Sequence, residues 1–158
     1  LTLQIGNELS DPALQRRGLE LMLASGKVAP EQVGQFHFFV GNLAFSQGDF
    51  AAARSALEQA IAAGYVSEDP RGLILETYFE EDRVADGIAY LNTQAAAGTV
   101  PENWILRALQ SAYDADLLAE SNSLSDLLVR SYPSERNWMN ALQVVNAVNQ
   151  LEPAAQLD

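Results

Sequence analysis

The stretch Gly41-Asn42-Leu43-Ala44-Phe45-Ser46-Gln47-Gly48-Asp49-Phe50, followed by Ala53, Leu57, Ala60, Ile61 and Gly64, decides how the chain reads. It describes helix, turn, helix. Gly48 tolerates the turn that ends the first helix, and the Asp49 carboxylate is placed to accept from the free amides that open the second. Phe50, Ala53, Leu57, Ala60 and Ile61 recur at three- and four-residue steps and share one face of that second helix. Gly64 stands just past its end, where a left-handed backbone is favoured.

The pattern recurs along the chain. Shifting Phe45, Leu57 and Gly64 by 34 residues gives Phe79, Leu91 and Gly98, and a second shift of Phe45 gives Tyr113. Trp104 and Trp138 stand at the same interval, each after an asparagine. Gly26-Lys27-Val28, Gly64-Tyr65-Val66 and Gly98-Thr99-Val100 read as three versions of one helix exit, each followed by a proline and a new helix. Three pairs are expected to face each other where two helices of a hairpin cross: Gly41 with Ala53, Leu75 with Gly87, and Leu109 with Ser121. As the first member grows from Gly to Leu, the partner shrinks from Ala to Gly, which is what a fixed volume requires.

The hairpin resembles a tetratricopeptide repeat, whose signature positions read here as His37, Val40-Gly41, Ala44, Ala53, Leu57 and Tyr65. The resemblance covers repeats at about 34–67, 68–101 and 102–135, with partial or degenerate hairpins at 1–33 and 136–158. It implies an all-α fold, a right-handed α-superhelix of stacked antiparallel hairpins with about nine helices in a single domain. The remaining segments fit that reading. Leu1, Ile5 and Leu9 suggest the remnant of a helix; Asp11-Pro12 and Asp69-Pro70 each supply a cap followed by a first-turn proline. Glu135 to Gln150 carries Trp138, Leu142, Val145 and Val148 at helical spacing.

In such an array the first helix of each hairpin lines an inner, concave wall. Carried over by position, that wall takes Gln35, Phe38, Asn42, Phe45 and Ser46 from the first repeat. The second offers Asp69, Glu76, Phe79 and Glu80, and the third Asn103, Leu106, Arg107, Gln110, Tyr113 and Asp114. Phe45, Phe79 and Tyr113 form a ladder of rings with Asn42, Glu76 and Gln110 one turn earlier. Rings bordered by amides and carboxylates suit a bound peptide, although the same rings serve equally to pack one repeat on the next. The clamp that some of these repeats use for chaperone C-terminal carboxylates is incomplete: Asn42 and Arg107 match in type, while Phe38, Leu73 and Asn103 depart. The acidic Glu76, Glu80 and Asp114 point instead to a basic or an apolar protein segment.

The resemblance thus implies a protein-interaction module binding a peptide or partner subunit. Two alternatives stay open: a structural segment of a larger scaffold such as a bacterial envelope assembly, with self-association through exposed repeat ends, or an accessory domain of an enzyme. Composition narrows the rest. The formal net charge is -12, and Lys27 is the sole lysine, a poor basis for nucleic-acid binding. With no cysteine and one histidine, His37, thiol catalysis and zinc-thiolate sites are excluded, and the segment reads as non-catalytic, without cofactor or metal. Glu80-Glu81-Asp82 reads as a solvated helix junction. No apolar run approaches the roughly 20 residues that span a bilayer. Abundant alanine and arginine in place of lysine suit a GC-rich bacterial genome, and cytoplasm and periplasm both accept such a chain. It begins at Leu1 and stops just after Glu152-Pro153 opens another helix, as a piece of a longer protein would.

Overall fold

Local sequence sets the helix starts, and the structure, a computed structural model describing residues 11–151, realises them. Among these residues there are eight helices and no strand: α1 Pro12–Ala24, α2 Pro30–Ser46, α3 Phe50–Ala62, α4 Pro70–Glu80, α5 Val84–Ala97, α6 Glu102–Asp114, α7 Leu118–Ser131 and α8 Glu135–Leu151. The helix expected over residues 1–9 and the one expected to open at Glu152-Pro153 lie outside the described residues. The chain divides into two compact units, Leu1–Glu81 and Asp82–Asp158. The division falls inside the second expected repeat.

In the first unit, α1 to α4 each pack on the next helix in sequence, and α4 also touches α2. Three aspartates cap three of these helices. Asp11 Oδ1 accepts from the amides of Ala13 at 2.9 Å and Leu14 at 3.1 Å; Asp49 Oδ1 accepts from Ala52 at 3.3 Å; Asp69 Oδ1 accepts from Arg71 at 3.0 Å. Each takes up donors that a helix start otherwise leaves unpaired. Between α2 and α3, Gly48 turns the chain at φ +74°, so the two helices fold back on each other. Their crossing is tight because Gly41 has no side chain: a Cβ there would sit 2.6 Å from Leu57 Cγ and 3.4 Å from the Ala53 carbonyl. The expected Gly41–Ala53 pairing is therefore real, with Leu57 filling the space. Leu19, Val40 and Ala56 join α1, α2 and α3 in one buried cluster, with Leu23, Phe36 and Leu43 packed against it.

A charged side chain ties α3 to α4. Arg54 pairs with Glu81, donates to Thr77 Oγ1 at 3.1 Å and lies 4.7 Å above the Tyr78 ring. Thr77, fully buried, spends its own proton on the Ile74 carbonyl at 2.6 Å. The first acidic residue of the Glu81-Asp82 turn is thus engaged by a guanidinium, and the second adopts φ +55°.

In the second unit, α5 packs on α6, α6 on α7 and α7 on α8. Ile88, Leu91, Ile105, Ala108, Leu124 and Leu128 fill its core. Ser121 is the small partner at the α6–α7 crossing; it is fully buried, and its hydroxyl donates to the Leu117 carbonyl at 2.8 Å. The chain around α8 is fastened by polar contacts. Tyr132 Oη donates to the Val100 carbonyl at 2.6 Å, and the buried Asn137 amide donates to Glu102 Oε1 at 2.8 Å and to the Tyr132 carbonyl at 2.7 Å. Asn137 stands 34 residues after Asn103, so one of the two Asn-Trp pairs supplies this buried node.

The interval read from the sequence reappears in the backbone. Helices end at Ser46, Glu80 and Asp114, and the next begin at Phe50, Val84 and Leu118, 34 residues apart in each set. The residues between them at positive φ are Gly48, Asp82 and Asp116, at the same interval. The helix exits are less uniform than expected. Gly26 and Gly64 have φ +65° and +76°, but Gly98 has φ 170°, an extended backbone open to any residue. The reason is the hydrogen bond each makes. Tyr65 N reaches back to the Ala60 carbonyl at 3.0 Å, which requires the left-handed step at Gly64, whereas after Gly98 the chain runs straight out to the buried Val100.

Candidate functional site

A cleft of about 350 Å³ opens in the second unit between α6 and α8. From α6 come Leu106, Leu109, Gln110 and Tyr113, at steps that put them on one face of the helix; α8 contributes Asn140, Gln143 and Val144. Leu109 and Val144 are 8% and 6% exposed and form the floor. Tyr113 stands at the rim, 51% exposed. No charged residue is in the lining. Three side-chain amides can each donate and accept, and the apolar floor lies between them. The volume is near the lower end of the roughly 300–1,000 Å³ typical of ligand sites. Such a lining has nothing with which to activate a nucleophile, and it suits side chains that bring both apolar surface and backbone amides.

The inner-wall residues expected from sequence divide by unit. In the second, Gln110 and Tyr113 line the cleft with Leu106; Gln110 Nε2 donates to Asp114 Oδ1 at 2.8 Å, which sets a carboxylate at the cleft's edge. Arg107 is outside the lining, and its Nη1 donates to Ser111 Oγ at 2.8 Å. In the first unit two expected contact rings turn inward. Phe38 is 7% exposed and stacks on Tyr65 with ring centroids 4.7 Å apart. That stack forms because Gly34 lets the Tyr65 backbone approach; a Cβ at Gly34 would lie 3.0 Å from Tyr65 Cβ. Phe79 is 6% exposed. Neither ring is presented to a ligand, so both serve packing. Phe45 is half-buried and meets Phe50 edge-on at 5.4 Å, while Asn42 spends a donor on the Phe38 carbonyl at 2.9 Å. Glu76 is half-buried and Glu80 exposed on α4.

Comparison with known proteins finds no matching family model, no matching curated protein and no matching solved structure.

A second, smaller cleft of about 280 Å³ lies in the first unit among α1, α2 and α3, with His37, Arg16 and Glu20 in its wall. Burial holds the His37 imidazole below its ordinary pKa, so it is neutral at neutral pH. Arg16 is already committed to Glu20 and Asp49, both at 2.8 Å, and to Gln47 Oε1 at 3.2 Å. Its bond to Asp49 holds that carboxyl below the usual aspartate range. Among the described residues no three histidine or acidic side chains are gathered to hold a metal. No described helix is long and apolar enough to cross a membrane.

The α8 half of the larger cleft was not expected from the sequence. A 34-residue shift carries Leu106, Leu109 and Gln110 onto Asn140, Gln143 and Val144. The signal was therefore present, but it had been followed only as far as residue 135.

Proposed function

We propose that this chain is a non-catalytic interaction module of the tetratricopeptide type, its hairpins stacking as a right-handed superhelix. The cleft between α6 and α8 holds a short extended segment of another protein. The cleft carries the proposal: an apolar floor at Leu109 and Val144, amide walls at Gln110, Asn140 and Gln143, and a ring at the rim. The 34-residue spacing of helix ends and of left-handed turn residues supports the repeat type. So does the packing of each helix on its sequence neighbour within each unit, the contact pattern of repeat arrays.

The lining narrows the ligand. With no charge inside, the occupant at the floor is an uncharged apolar side chain, and its flanking backbone bonds to the amides. Asp114 at the edge favours a basic residue next to it, not within the cleft.

A displayed peptide library, panned on the immobilised chain and then on its Tyr113→Ala/Gln143→Ala variant, tests this. Selected peptides should be apolar at one position, and the double variant should bind them about tenfold or more weakly, ~1.4 kcal/mol. Equal binding to both proteins would remove the cleft from consideration.

A further inference from the structure

After Arg136, α8 runs from Asn137 to Leu151 without a charged residue, in a chain of formal net charge -12. Trp138, Leu142 and Val145 follow one another at steps of four and three, on one face of the helix, and are 56%, 54% and 39% exposed. Met139 beside them is 55% exposed, making this the largest group of exposed large hydrophobics among the described residues. Asn140, Gln143 and Val144, which line the cleft, lie on the other side of the same helix. The apolar face is thus separate from the cleft, and a contiguous face of this kind marks an interaction surface.

We propose that this face is the contact between two copies of the chain, paired α8 against α8 about a two-fold axis. Charge selects the occupant. A surface built for a basic partner displays carboxylates, and one built for an anionic bilayer displays lysine or arginine beside its apolar stripe. The run from 137 to 151 has neither. Two copies of an acidic chain repel one another, with a range set by a Debye length of roughly 8–10 Å. Seating the contact on an uncharged helix face keeps carboxylates out of the seam while burying the apolar stripe. A two-fold contact is self-complementary. In an antiparallel pair centred on the stripe, Leu142 meets its own counterpart near the axis, and Trp138 meets Val145 of the partner subunit.

Sedimentation equilibrium of the whole chain over a concentration series, at low and at high salt, tests the pairing. The expected result is a monomer–dimer equilibrium that tightens as salt rises, because screening removes repulsion between like-charged copies. Leu142→Glu puts two carboxylates at the axis and should weaken the dimer by roughly tenfold or more. Trp138→Ser should weaken it independently, and helical circular dichroism should be unchanged in both, since the side chains are exposed. Tyr113→Ala, in the cleft, should leave the dimer intact, so failure of the cleft and failure of the pairing are told apart. A monomer at every concentration and salt overturns the proposal. So does a dimer that salt weakens, or one that survives both α8 substitutions.

Discussion

Single residues decide the tight places in this fold. Gly41 is one: a Cβ there would meet Leu57, which is fully buried and cannot move aside. Gly41→Ala gains helix propensity of up to about 1 kcal/mol, yet overpacking in a close crossing costs about 1–3 kcal/mol. A net loss is expected, read as a lower urea midpoint with unchanged slope. The two glycines that share a sequence context at helix exits should behave oppositely. Gly64→Ala forces a side chain into φ +76° and should destabilise by about 1 kcal/mol. Gly98→Ala, in extended backbone with nothing near, should be neutral or gain about 0.4–1 kcal/mol through the unfolded chain. Thermal melts of the two variants separate the cases. That distinction was not legible in the sequence, because Gly-Tyr-Val and Gly-Thr-Val look alike until the hydrogen bond from Tyr65 shows which one turns.

Helix caps are where sequence and local structure agree most closely. Asp11-Pro12, Gly48-Asp49 and Asp69-Pro70 were each expected to start a helix, and each aspartate bonds the amides it was expected to bond. Two of them also hold an arginine. The Arg16 guanidinium on Asp49, and that of Arg71 on Asp69, keep both carboxyls below their ordinary value of 3.8. A carboxyl depressed in the folded state stabilises fully above its unfolded value, and the gain is lost as pH falls through the depressed one. Acid unfolding should therefore draw on these two caps below about pH 4. Arg16→Met should raise the Asp49 value towards the ordinary one, an effect visible in a carboxyl-resolved NMR titration. An unmoved Asp49 titration would show that the pair does not persist in solution. Removing the cap itself with Asp49→Ala should cost about 0.5–2 kcal/mol.

Across the whole molecule the compact units are the level at which packing is organised, and core substitutions should report this. Leu57 and Leu128 are both fully buried, one in each unit. Leu57→Ala and Leu128→Ala should each cost about 2–5 kcal/mol, and amide hydrogen exchange should speed most in the unit that carries the change. The order of elements, the turn positions and their 34-residue interval were written in the sequence, because caps, glycines and helical periodicity act over a few residues and need no distant partner. The sequence also placed Gln110 and Tyr113 on one exposed face. It did not place Phe38 and Phe79, since a ring at helical spacing fits a groove or a core equally well. Only the packed neighbours, Tyr65 for Phe38 among them, decide which. Nor did it complete the cleft, whose second wall is α8, or show that Trp138, Leu142 and Val145 stay uncovered. Burial is a property of what surrounds a side chain, and that is set by tertiary contacts between segments far apart in the chain.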